Sequence, residues 1–224
     1  MNITDLENKI INADCMDILK QLPDKSVDLV LTDPPYGIEY NNKKMHRKSQ
    51  RDFKDIENDN MELDYVDLIK EFLRISKNKV IVWGWNCFFT TGCFPIRGRT
   101  ICWDKRTKLS ADNLLGSPFE LAWVNNESGY DKIYRIMHGG VINADGANEA
   151  RIHPTKKPIK LFERCILDFS KEGEIVFDPF SGSGTTAIAC HNLKRRFICI
   201  EKDKDYYEAS VKRLEDAKKQ LTLF

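Results

Sequence analysis

The chain has 224 residues, 42% of them hydrophobic and 31% charged, and a net charge of +1. Such a length buries a full core without disulfides or metals, and the composition excludes collagen-like, low-complexity and wholly disordered chains. No apolar run is long enough to span a bilayer, and the first residues, Met1 to Glu7, lack the basic start and apolar core of a secretory leader, so a cytoplasmic location with no membrane partner is expected.

Short apolar runs alternate with segments of helical period, the pattern of a parallel sheet covered by helices on both faces. Residues 10–13 read as a short strand. Residues 26–32 read as a second, stopped by Asp33-Pro34-Pro35-Tyr36, because tandem prolines cannot continue a central strand. Residues 41–51 carry Lys43, Lys44, Arg47, Lys48, Arg51 and His46 with no acid, and acids dominate residues 52–67. A basic loop that contacts phosphates fits this pattern, as does a solvated loop beside a solvated helix start.

A helix over 61–75 places Val66, Ile69, Phe72 and Leu73 on one face. Strands follow at 79–85, 100–103 and 119–124, with Trp83 and Trp85 read as core. Lys105, Arg106 and Lys108 form a second basic cluster. Residues 125–152 are polar and without a clear period, and read as a surface insertion in a single domain over 1–224. A helix starts at Pro158, at its favoured first position. A strand over 174–177 then leads into Asp178-Pro179, a glycine turn over 181–186 and a helix to Leu193. A strand over 196–200 ends at Glu201, and a last helix covers 204–219. The seven cysteines (Cys15, Cys87, Cys93, Cys102, Cys165, Cys190 and Cys199) form no Cys-x-x-Cys pair and read as reduced, mostly buried thiols, with no metal site expected.

Two segments carry chemistry. Strand, glycine turn and helix make a cradle for a nucleotide-type cofactor: Gly182 and Gly184 let the backbone approach, and the helix start offers N–H groups. Glu201, at the end of the next strand, is placed to accept hydrogen bonds from a ribose. This pattern alone does not separate a nicotinamide cofactor from S-adenosylmethionine. The second segment, Asp33 to Tyr36, combines a carboxylate, a rigid carbonyl and an aromatic face. An exocyclic amine held by Asp33 and Pro34, with its ring on Tyr36, would have its lone pair drawn out of conjugation and become nucleophilic.

At this point the chain resembles the DNA amino-methyltransferases that modify adenine N6 or cytosine N4. Asp33-Pro34-Pro35-Tyr36 is similar to their catalytic tetrapeptide, and Asp178-Pro179-Phe180-Ser181-Gly182-Ser183-Gly184-Thr185-Thr186 to their cofactor loop. His153-Pro154-Thr155-Lys156-Lys157-Pro158 looks like the segment at the methionine end of the cofactor, and Asn12-Ala13-Asp14-Cys15 like the one at its adenine. The order, catalytic segment first, resembles the circularly permuted beta subgroup. The resemblance implies a Rossmann-like, mostly parallel sheet of seven strands, with S-adenosylmethionine as methyl donor. It implies catalytic roles for Asp33, Pro34, Pro35 and Tyr36. Around the cofactor it implies Asp14, Cys15, Asp33, His153, Thr155, Lys157 and Pro158, then Asp178, Pro179, Phe180, Ser181, Gly182, Gly184, Thr185, Glu201 and Lys202.

An aspartate heading the tetrapeptide is similar to the adenine enzymes. The expectation is methylation of adenine N6 in double-stranded DNA, on a base flipped out of the duplex. Cytosine N4 is the nearest alternative; an RNA or protein amine substrate and a nicotinamide-dependent oxidoreductase are more distant ones. Lys156 stands where the family often has glutamine. The insertion at 125–152 is short for target recognition, so the reading of DNA falls to a short degenerate site, or to loop 41–51 (Lys43, Lys44, Arg47, Lys48) shared across a homodimer, with Lys105 and Arg106 as further phosphate contacts. No endonuclease motif is evident, so a restriction partner would be a separate chain.

Overall fold

A computed structural model describes residues 2–35, 64–87, 97–106, 117–126, 129–137 and 157–221. Within them the chain forms β1 (Lys9–Asn12), α1 (Cys15–Leu19), β2 (Val27–Thr32), α2 (Tyr65–Ile75), β3 (Ser76–Trp83), β4 (Arg99–Asp104), β5 (Phe119–Val124), β6 (Lys132–Arg135), α3 (Ile159–Phe169), β7 (Ile175–Asp178), α4 (Thr185–Asn192), β8 (Arg196–Glu201) and α5 (Lys204–Leu221). All strands join one sheet in the order β1-β8-β7-β2-β3-β5-β4-β6. The strands from β1 to β3 run parallel, β5 is antiparallel to both its neighbours, and β4 and β6 are parallel to each other.

This is the expected Rossmann-like α/β sheet, with eight strands where seven were expected. The difference lies in the segment 125–152, which is not wholly irregular: β6 falls inside it and pairs with β4 from Ile101↔Lys132 to Asp104↔Arg135. At four residues, with Tyr134 alone buried, an edge strand of this kind leaves little alternation to read.

The central strands are buried on both faces, which is why they read as continuous apolar runs. All six residues of β2 are buried. Its side chains alternate between two cores. Val27 and Val30 join the core under α1 and α2 with Leu68, Ile69 and Phe72. Leu29 and Leu31 join the core under α3, α4 and α5 with Phe162, Ile166 and Ile188. Each such side chain contributes about 1.5–3 kcal/mol on removal from water. Asp64 caps α2, accepting from the Val66 and Asp67 N–H groups at 2.9 and 3.2 Å. Arg74, in the last turn of α2, donates to the Leu19 and Leu22 carbonyls at 2.8 Å, closing the open end of α1. No helix among the described residues is long and apolar enough to cross a membrane.

One topological fact places the site. β2 and β7 are neighbours. From β2 the chain crosses through α2 to β3 on one side, and from β7 through α4 to β8 on the other. The carboxyl ends of β2 and β7 therefore border the crevice that a parallel sheet opens where its winding reverses.

Candidate active site

Asp33 follows directly on β2, and Asp178 is the last residue of β7. Thr32 Oγ1 donates to Asp178 Oδ1 at 2.9 Å, joining the two strand ends. Asp178, 2% exposed, also accepts from Thr186 Oγ1 and from the Phe180 N–H at 3.1 Å. Burial pushes its carboxyl up to about 6; these hydrogen bonds pull the other way, and the nearby Asp33 charge adds to the rise.

The loop after β7 is held from several sides. Ser181 N–H donates to the Ile200 carbonyl at 2.9 Å and Gly184 N–H to the Ser181 carbonyl at 2.8 Å. Gly182 and Gly184 have φ of 50° and 75°, in the left-handed region that glycine adopts freely. Gly184 is also pressed on α5, where an added Cβ would meet Ser210 Cβ at 3.0 Å. Arg213 of α5, itself buried, donates to the Ser183 carbonyl at 2.9 Å and to Thr185 Oγ1 at 3.3 Å.

Glu201 ends β8 beside this loop. Its Oε2 accepts from the Gly182 N–H at 2.8 Å and its Oε1 from the Asp203 N–H at 2.9 Å. Burial pushes its carboxyl up to about 7 against the pull of these two N–H groups. Asn12 lies opposite Glu201 in the register of β1 and β8, and its amide donates to the Glu201 and Lys202 carbonyls, each at 2.9 Å. Asp14 caps α1 through the Met16 N–H at 2.9 Å and faces Lys202 Nζ at 3.3 Å. Asp14, Glu201 and Lys202 thus share one rim. The Cys15 side chain turns away into the core under α1 and α2, where burial pushes its thiol up to about 12.

Lys157 enters from the other side. It precedes Pro158, which is the N-cap of α3, so the helix begins one residue later than the sequence suggests. Lys157 Nζ lies 2.5 Å from Asp33 Oδ2 and 3.1 Å from Glu120 Oε2. Its carbonyl accepts from Thr185 Oγ1 at 3.4 Å, so the residue touches both Asp33 and the glycine loop. Glu120 also accepts from Lys105 Nζ, which lies 4.9 Å over the Trp103 ring. Burial pushes the Glu120 carboxyl up, but Lys157 and Lys105 outweigh it and hold the group down at about 2. Lys105, expected on a phosphate, is turned inward to this ion pair.

Asp33, Lys157, Phe162, Asp178, Phe180 and, from the loop, Ser181, Gly182, Ser183, Thr185 and Thr186 line one open cleft. Ser181 lines this cleft, and its buried Oγ has no hydrogen-bond partner among the described residues. An unmet hydroxyl, two glycines without side chains and the Glu201 carboxylate at the rim suit a polar, nucleoside-bearing cofactor. Among the described residues no cluster of His, Cys, Asp or Glu could hold a metal ion. Trp83 is fully buried and meets Trp103 edge to face, with centroids 6.3 Å apart, while Trp85 is partly buried. Tyr36, Lys43, Lys44, Arg47, Lys48, His153 and Thr155 lie outside the described residues, and Arg106 lies just beyond β4. Glu120 and Arg213 are parts of the site that no sequence motif marked.

A family model described as DNA methylase matches residues 98–212, just over half of the chain. The chain is 28% identical to M.HinfI, a type II methyltransferase of Haemophilus influenzae, across 97% of its own length and 71% of that protein. The solved M1.HpyAVI–SAM complex superposes with a TM-score of 0.59 at 22% identity, covering 92% of this chain and 98% of that one. PvuII DNA methyltransferase, described as cytosine-N4-specific, superposes with a TM-score of 0.60 at 16% identity, over 95% and 91%.

Proposed function

Because the chain belongs to the N6/N4 family of DNA methylases, we propose that it moves a methyl group from S-adenosylmethionine to the exocyclic N6 of an adenine flipped out of double-stranded DNA. The observation that carries the reading is the junction of Asp33 with the glycine loop at the carboxyl ends of β2 and β7, clipped by Thr32 and Asp178. The M1.HpyAVI complex supports the cofactor. The aspartate at the head of the tetrapeptide supports adenine. Likeness to a type II methyltransferase supports a modification role beside a restriction endonuclease carried on a separate chain.

When bound, the cofactor supplies an electrophilic methyl on a sulfonium centre. Gly182, Gly184 and Ser181 would hold its polar groups, and Glu201 its ribose hydroxyls. Asp33 and the Pro34 carbonyl would accept the two N–H groups of the target amine, which frees the nitrogen lone pair for in-line attack. A carboxylate offers about four lone-pair sites, so Asp33 can hold Lys157 and the amine together. After transfer the nitrogen is cationic, and Asp33 is placed to take its proton or to steady the charge. Tyr36 would stack on the flipped base.

The test is incubation with S-adenosylmethionine and mixed duplex DNA, then nucleoside analysis by mass spectrometry. N6-methyladenine is the expected product. N4-methylcytosine would overturn the choice of base and keep the chemistry, while no methylated base from a cofactor-bound chain would overturn the reading.

A further inference from the structure

Four side chains of alternating charge run away from the reacting end of the cleft: Asp33, Lys157, Glu120 and Lys105. We propose that Glu120 is a positioning residue for methyl transfer, acting through Lys157 to fix the orientation and the acceptor strength of the Asp33 carboxylate. The inference rests on the reading of the chain as a DNA methyltransferase.

Topology explains why a residue of β5 can do this. β5 is antiparallel to β3, so its first residues, not its last, reach the rim where the parallel strands end. Glu120 is its second residue and lies opposite Trp103 in the register of β4 and β5. Lysine is a point charge on a flexible stem of four carbons. Paired with Asp33 alone, Lys157 could approach that carboxylate from several directions. With Glu120 Oε2 at 3.1 Å on its other side, the 6%-exposed Lys157 is held between two carboxylates.

The charges lead to the same role. Two lysines and two carboxylates sum to zero, so the cleft carries no added positive charge where a sulfonium must be accepted. Sharing Lys157 with Glu120 also leaves Asp33 a stronger acceptor for the target amine than a private ion pair would. Without the Glu120 charge, Lys157 would turn wholly to Asp33 and compete with the amine. Among the described residues, the groups facing Lys157 include Asp33 after β2, Glu120 on β5, Cys87 in the turn after β3 and, across the shared cleft, Asp178 at the end of β7.

The experiment compares wild type, E120Q and E120D in single-turnover methyl transfer across pH, beside cofactor affinity and thermal unfolding. E120Q is expected to keep cofactor affinity within about threefold and to lose roughly tenfold or more in rate. Its alkaline limb is expected to move to lower pH, because an ammonium that loses a neighbouring carboxylate gives up its proton more readily. E120D restores the charge and is expected to recover most of the rate and the profile. A folded E120Q with wild-type rate and profile overturns the proposal, as does an E120D that recovers nothing. Titration of the Lys157 ammonium by NMR, expected at lower pH in E120Q, supplies a readout that needs no catalysis; an unmoved titration overturns the proposal even if E120Q is slow. Should E120Q not fold, E120M, which also removes the charge, is read in its place: a Lys157 titration at lower pH supports the proposal and an unmoved one overturns it. A wild type that binds cofactor and methylates no DNA overturns the methyltransferase reading instead, and the NMR titration still decides whether Glu120 holds Lys157.

Discussion

Thr32 and Asp178 are separated by most of the chain, yet the threonine hydroxyl donates to the aspartate carboxylate at 2.9 Å. The bond ties the strand that presents Asp33 to the strand that presents the glycine loop. Thr32→Val keeps the shape and removes the donor from a fully buried site. Asp178 keeps its bonds from Thr186 and Phe180 N–H. The expected cost is about 1–3 kcal/mol, read by urea unfolding, with weaker cofactor binding. Wild-type stability in this variant would show the bond to be dispensable.

Asp178 and Glu201 give the ligand-free chain a distinctive response to pH. Their carboxyls are raised from ordinary values of 3.8 and 4.5 to about 6 and about 7, chiefly by burial. The folded chain therefore binds these protons more tightly than the unfolded chain does. Their contribution to stability is fully present below the ordinary carboxylate range and is lost as pH rises through 6 and 7. Glu120, held at about 2, acts oppositely: its contribution is present above the ordinary range and is lost as pH falls towards 2. Urea unfolding at pH 5 and pH 8 is the measurement. Glu201→Gln is expected to flatten the decline between these two conditions, and an unchanged decline would count against this assignment.

Asp33→Ala tests the chemistry most directly. The expected result is a folded chain whose single-turnover rate drops by about a hundredfold or more, since no other acceptor replaces the carboxylate. Lys157 retains Glu120 as a partner at 3.1 Å, so circular dichroism and the Tm should stay close to wild type. A folded variant with substantial activity would remove Asp33 from the mechanism.

Gly184→Ala challenges the glycine loop twice. Its φ of 75° costs an L side chain about 1–2 kcal/mol, and the new methyl would meet Ser210 Cβ at 3.0 Å. Lower Tm and weaker cofactor binding are expected. Adding Ser210→Gly should relieve the contact and leave the backbone strain, so calorimetry on the double variant is expected to show partial recovery. Full recovery would mean that the backbone conformation carries no cost.

Local rules made much of the fold legible. β2, β5 and β8 were readable as apolar runs, and the loop after β7 as glycines between a strand and a helix, because each signal lies within a few neighbouring residues. β6 was not, since four residues at a sheet edge carry too few buried positions to stand out. α1 was missed for a similar reason, being a five-residue helix held by its Asp14 cap and by Arg74 from a distant helix. The site divides in the same way. Asp33, Asp178 and the glycines belong to compact motifs. Glu120 is an acid in an ordinary strand, and Lys105 looked like an exposed cation; only the antiparallel course of β5 brings Glu120 between Lys105 and Lys157.

The pairing of β1 with β8 has a consequence for how the molecule forms. Ile10 aligns with Cys199, and Leu29 in β2 with Val176 in β7. β3, β4, β5 and β6, by contrast, find their partners within a short stretch of chain. Closing long loops costs entropy before any contact repays it, so pairings of this kind slow folding. On the ribosome, the acceptor side around β2 and β3 has its strands available first, while the glycine loop and the Glu201 rim wait for β8 to emerge. The methyl-donor side is therefore completed only once β8 has emerged, later than the side around β2 and β3.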